Sequence, residues 1–221
     1  MMCGNGSCCI AKFVYDKGLT QKNPITLETL SGIKTIAMDV ADGKVVSATV
    51  DMGVPITDPS SIPMTWEKSI CLDETITVTV DGAPLSLRGT GVSMGNPHFV
   101  TFVEDVATAP VEKVGRVIEH SSYFPERVNV EFVEIVDDNH VKFRVWERGS
   151  GETLACGTGA CAVAYTAITL GKAGRRDQFL TVEAVGGPLQ LNYRSDGHMM
   201  MKGPAVTVYE GEMEIPDNIL K

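Results

Sequence analysis

Cys156-Gly157-Thr158-Gly159-Ala160-Cys161 restates, 153 residues on, the stretch Cys3-Gly4-Asn5-Gly6-Ser7-Cys8. Between residues 3–18 and 156–171, six of sixteen positions agree: the two cysteines and two glycines of the motif, Ala11 with Ala164, and Gly18 with Gly171. Self-similarity at a fixed offset reads as an old duplication, with a cysteine at the same place in each half. Each copy opens a helix-like stretch that stops on a glycine. Glycines after the cysteine leave the N–H groups of a helix start uncovered, and the helix dipole favours negative charge there. A thiol so placed is expected to be acidic, lowered from about 8.5 to roughly 3.5–7.5. Two such thiols, related by a pseudo-two-fold, can meet one ligand from opposite sides. One removes a proton from carbon, the other returns one to the far face, and a stereocentre inverts without a cofactor.

Composition narrows the alternatives. The chain has 221 residues, 43% hydrophobic and 21% charged, enough for one large or two small cores. A net charge of −9, with no basic cluster longer than Arg175-Arg176, argues against nucleic acid as a partner. No apolar run reaches membrane-spanning length and Met1-Met2-Cys3 does not resemble a signal peptide, so a cytoplasmic protein acting on a small molecule is expected. In a reducing compartment the six cysteines are not expected to form disulfides. The C-x4-C pairs Cys3/Cys8 and Cys156/Cys161 lack the C-x2-C spacing of zinc ribbons, and no metal site is expected.

Helical periodicity covers about Gly4–Tyr15, Val111–His120 and Thr158–Leu170. Period-two alternation predicts strands at Thr35–Val40, Lys44–Asp51, Ile76–Val80, His98–Val103, Val128–Ile135, Val141–Glu147, Leu180–Ala184, Leu189–Tyr193 and Ala205–Tyr209. Turn signals at Asp42-Gly43, Asp81-Gly82, Asp138-Asn139 and Asp196-Gly197 join several of them. The pattern predicts an antiparallel-rich α+β protein with a helix embedded in each half. Pro55, Pro59 and Pro63 fall within nine residues, and a domain junction is placed there. Residues 1–63 with 209–221 then form one partial domain and 64–208 the other.

Polar residues interrupt apolar surroundings at Met94-Gly95-Asn96-Pro97-His98, at Glu126-Arg127-Val128-Asn129, and at Glu147-Arg148 ahead of Cys156. An arginine beside a glycine-rich anion-binding loop suits bidentate carboxylate recognition, although an exposed ion pair explains Glu147-Arg148 equally well. Together with Met2-Cys3-Gly4-Asn5-Gly6 and the run from Glu147 to Ala160, these segments resemble, in order, the signatures of the diaminopimelate epimerase family, over Cys3 to about Ile215.

The resemblance implies two similar, pseudo-symmetric domains, each a curled, mostly antiparallel sheet around a central helix, with the site in the cleft between. It implies cofactor-free interconversion of LL- and meso-2,6-diaminopimelate, on the route to lysine and peptidoglycan. Position by position, Cys3 and Cys156 match the catalytic cysteines. Gly4, Asn5, Gly157 and Thr158 match the loops that hold the carboxylate at the reacting carbon. Asn96, Asn129, Glu147 and Arg148 match residues that read the distal end, His98 and Glu147 match positions that assist the thiols, and Tyr209 matches a tyrosine of the family's homodimer contact. Two departures stand out: the opening segment usual ahead of the first cysteine is missing, which reads as an N-terminal truncation, and Cys8 replaces a usual arginine. The alternatives are an inactive or weakly binding remnant and a proline racemase-like enzyme. The latter's first motif resembles Met-Cys-Gly-His-Gly, where this sequence has Asn5.

Overall fold

In the computed structural model, residues 4–30 and 32–214 are described. Helix α1 (Gly4–Asp16) is followed by β1 (Ile25–Thr29), β2 (Gly32–Ala41) and β3 (Lys44–Asp51). Next come β4 (Glu74–Val80), β5 (Ala83–Ser93), β6 (Pro97–Phe102) and α2 (Val111–Glu119). Strands β7 (Asn129–Asp137), β8 (His140–Glu147) and β9 (Gly151–Thr153) precede α3 (Gly157–Thr169). Then β10 (Phe179–Ala184), β11 (Gly187–Tyr193) and β12 (Met199–Pro204) follow. The strands form one sheet in the order β1-β2-β3-β12-β11-β10-β8-β7-β6-β5-β4, with β9 beside β8. Only β10 on β8 and β6 on β7 pair in parallel among the described residues.

The expected hairpins form for the expected reason. Asp42 and Gly43, and likewise Asp81 and Gly82, all have positive φ (50°, 73°, 50° and 80°). Two successive left-handed residues make the tight turn whose twist matches that of the flanking strands.

The mixed sheet curls around α3, which touches β5, β6, β7, β8, β10, β11 and β12. Its sequence is apolar on every side, and it is buried continuously from Thr158 to Ala167, as such a helix must be. Helix α1 instead buries one stripe, Gly4, Ser7, Cys8 and Ala11, against β2, β3 and β12, and exposes Ile10 and Phe13. On the far side of the sheet α2 presses Val111, Val114 and Ile118 onto a second core containing Phe99, Val130 and Phe132. Strands β6, β7 and β8 are therefore covered on both faces. Alternation sends Val100, Val133, Phe143 and Val145 towards α3, and it sends His98, Glu131 and Glu147 the same way.

Four strands were not anticipated: β1, β5, β9 and β12. The strand expected at Ala205–Tyr209 does not form, and most of those residues are exposed. Met199–Pro204 is the strand instead, because β3 and β11 offer it hydrogen-bonding partners on both sides. Pairing outweighs the low intrinsic strand preference of Met-Met-Met-Lys-Gly-Pro. No described helix is long and apolar enough to cross a membrane.

Gly115 of α2 lies where an added Cβ would meet Trp146 Cβ at 2.5 Å and Cγ at 2.7 Å. Those atoms sit near the backbone of β8 and cannot swing aside. Gly115→Ala should therefore destabilise the protein by about 1–3 kcal/mol, against the roughly 1 kcal/mol gain usual for this exchange in a helix. Urea unfolding monitored by circular dichroism measures the sign.

Candidate active site

Cys156 is the N-cap of α3, with extended backbone (φ −134°, ψ 112°). Its sulfur accepts a hydrogen bond from Gly159 N–H at 3.3 Å and lies 3.4 Å from Thr158 Oγ1. The glycine is needed for that bond: a Cβ at Gly159 would stand 3.3 Å from Sγ and 2.8 Å from Glu131 Oε1.

The two motif copies meet at their helix starts. Asn5 Oδ1 lies 3.3 Å from the point a Cβ on Gly157 would occupy. Met201 packs between them, with Sδ 3.2 Å from the Cβ position of Gly4 and 3.3 Å from that of Gly157. The thioether fills the space that a side chain at either glycine would enter. Cys3, which precedes Gly4, lies outside the described residues.

A buried polar cluster backs Cys156. His98 and Glu131, neither reached by solvent, approach at 2.6 Å from Nδ1 to Oε1. His98 Nε2, Glu131 Oε2 and the neighbouring Asn96 Oδ1 are buried without hydrogen-bond partners. Each such atom costs about 1–3 kcal/mol, and uncompensated polar atoms in a native fold ask for a functional explanation.

The remaining predicted residues form the adjoining rim. The Asn129 amide donates to Pro97 O at 2.8 Å, while its Oδ1 accepts from Arg148 N–H at 2.9 Å. Asn129 thus ties the Asn96 loop to the end of β8. Arg148 Nη1 donates to Glu126 O, and Glu147 accepts from Thr153 Oγ1 across the β8–β9 turn. Tyr209 is apart from this cluster, exposed beside α1 in the wall of a cavity of about 1110 Å³ that Cys9, Phe13 and Lys44 also line. Among the described residues there is no group of three or more His, Cys, Asp or Glu that could hold a metal.

The acidic thiol expected from helix electrostatics is not what the fold produces at Cys156. Burial first, then the charges of Glu131 and Glu147, push this thiol up to about 12, against the lowering by Thr158 and Gly159 N–H. At neutral pH Cys156 is a protonated sulfur. Glu131 itself is held above the usual carboxylate range by burial, against the pull of His98.

Three contributors were not singled out from sequence. Glu131 reads as one solvent-facing position of an alternating strand, and only α3 turns that face inward. Glu119, buried at the end of α2, accepts from Trp146 Nε1 at 2.6 Å and from Gly149 N–H at 2.9 Å, clamping the loop that carries Arg148. Met201 carried no signal, since a methionine in an apolar run is ordinary core.

The sequence profile of the family described as Diaminopimelate epimerase matches residues 90–208. The chain is 50% identical over 97% of its length to the diaminopimelate epimerase of Methanococcus maripaludis strain C5, spanning 75% of that protein. Against that of Acetivibrio thermocellus it is 47% identical, covering 97% of this chain and 74% of the relative. Among solved structures, a Bacillus anthracis phenazine biosynthesis protein of the PhzF family superposes with a TM-score of 0.67 at 19% identity, covering 97% of this chain and 76% of that one. A hydroxyproline epimerase from Agrobacterium vitis superposes at 0.65 and 16%, covering 90% and 62%. At such identities these two share the fold.

Iodoacetamide at about pH 8 should label the exposed Cys9 well before Cys156. Labelling of Cys156, followed by peptide mapping, should climb by about tenfold per pH unit into the alkaline range. Rapid modification near neutrality would contradict the raised thiol.

Proposed function

The chain belongs to the diaminopimelate epimerase family, and we propose from that premise that it interconverts LL- and meso-2,6-diaminopimelate, in lysine synthesis, by inversion at the α-carbon between two thiols. The observation that carries this reading is the Cys156 thiol capping α3 where the first residues of α1 arrive. Cys156, as the protonated sulfur, delivers a proton to one face of the planar carbon. Cys3, next to Gly4 in the sequence, takes one from the other face, and in the reverse direction the roles exchange. Each inversion leaves Cys156 as the thiolate and Cys3 as the thiol, and proton exchange with water or turnover in the reverse direction restores the starting pair, so no cofactor is consumed.

Gly4 and Asn5, with Gly157 and Thr158, supply helix-start N–H groups to the α-carboxylate and to the charge that grows on it as the proton leaves. Asn96, with its unpartnered Oδ1, and Asn129, Glu147 and Arg148 receive the distal ammonium and carboxylate. His98 and Glu147 assist the thiols. The division into residues 1–63 with 209–221 and 64–208, a cytoplasmic setting, and a homodimer built through the exposed Tyr209 belong to the same reading.

The test is hydrogen–deuterium exchange at the α-carbon of each diaminopimelate isomer in D2O. Wild-type protein should exchange, and Cys156→Ser should lose about 10³-fold or more. A serine variant that keeps the wild-type rate removes Cys156 from the mechanism. Wild-type protein that exchanges no isomer is instead the inactive or weakly binding remnant.

A further inference from the structure

Glu131 has no part in the roles assigned so far, yet it is the most deeply buried carboxylate beside the thiol. It stands on the α3-facing side of β7, fully shielded, in register with Val100 of β6 and Val145 of β8. Oε1 contacts His98 Nδ1 at 2.6 Å and lies 2.8 Å from the Cβ point of Gly159, itself 3.3 Å from Cys156 Sγ. The titratable groups around it are His98 from β6, Glu147 from the end of β8 and Cys156 from the start of α3. A buried ionisable pair adds little net stability compared with apolar residues of similar size, so scaffolding alone does not account for it.

We propose that Glu131 is a positioning residue that holds the ring proton of His98 on Nδ1, which leaves Nε2 as a buried acceptor. In the ionised state that the proposal assigns to it, Glu131 has only lone pairs to offer, so the 2.6 Å contact is a hydrogen bond from Nδ1–H. In a neutral imidazole the other nitrogen then carries a lone pair, and Nε2 is the atom the fold leaves without a partner. A proton that moves from a site thiol to Nε2 leaves a thiolate and an imidazolium, and the Glu131 carboxylate balances the imidazolium at its opposite edge. The logic is that of a carboxylate orienting a catalytic histidine. The kinetic consequences rest on the epimerase reading, whereas the tautomer does not.

Nitrogen-15 NMR of the ligand-free full chain, labelled in its histidine rings, reads the tautomer directly. The signal of His98 is identified by its loss in His98→Gln. A neutral ring protonated on Nδ1 near neutral pH is the expected result. A ring protonated on Nε2 alone, or on both nitrogens, overturns the proposal whether or not the protein is an epimerase.

Glu131→Gln keeps shape and an acceptor oxygen but removes the charge. It should lower α-proton exchange by about 10²-fold with KM near the wild-type value. Glu131→Leu should shift the ring proton towards Nε2. A Gln variant with the wild-type rate, or a folded Leu variant whose ring proton stays on Nδ1, overturns the assignment.

Discussion

The hydrogen bond from Gly159 N–H to the Cys156 sulfur fixes where α3 begins, and the site is organised around that point. A side-chain cap is worth about 1 kcal/mol to a helix, but its larger effect here is geometric. Helix α3 is enclosed by the consecutive strands from β12 to β5 of the sheet path, so its first residue cannot shift without disturbing the main core. The thiol is thereby carried by a core element, and the rim loops are pinned to it from outside, by Asn129 through Pro97 and Arg148, and by Glu119 through Trp146 and Gly149. The proposed proton transfer would draw on such rigidity, since small misplacements cost orders of magnitude in rate.

Two electrostatic influences compete at this sulfur, and their sizes decide the outcome. The helix start favours a thiolate by about 2 kcal/mol at most. Removing an anion from water costs several kcal/mol, and the Glu131 and Glu147 carboxylates add repulsion. Burial wins, and Cys156 keeps its proton. The resting protonation of this sulfur is thus set by the pocket behind the helix.

Much of this was legible in the residues. The repeated Cys-Gly-x-Gly-x-Cys located two helix starts, and α1 and α3 begin where it put them. Aspartate with a following glycine located two hairpins, because only left-handed backbone closes them. Where the reading failed, long-range pairing or coverage decided. Ala83–Ser93, with Gly, Pro and Ser throughout, lacks a strand's composition yet lies between β4 and β6. Glu131 alternates like a solvent-facing residue, and α3, distant in sequence, covers it. The electrostatics of Cys156 could not be read from a helix start alone, since the decisive charges come from β7 and β8.

Met201 links the two copies of the motif by a different kind of contact. Its thioether occupies the room that side chains on Gly4 and Gly157 would need, so one soft, unbranched residue sets the gap between the two helix starts. Strand β12, which carries it, is hydrogen-bonded on one side to β3 and on the other to β11. The gauge of the cleft is therefore held from the middle of the sheet by a compliant spacer. Small torsional adjustments of that spacer can change the gap between the two helix starts while every ladder bond of β12 stays closed.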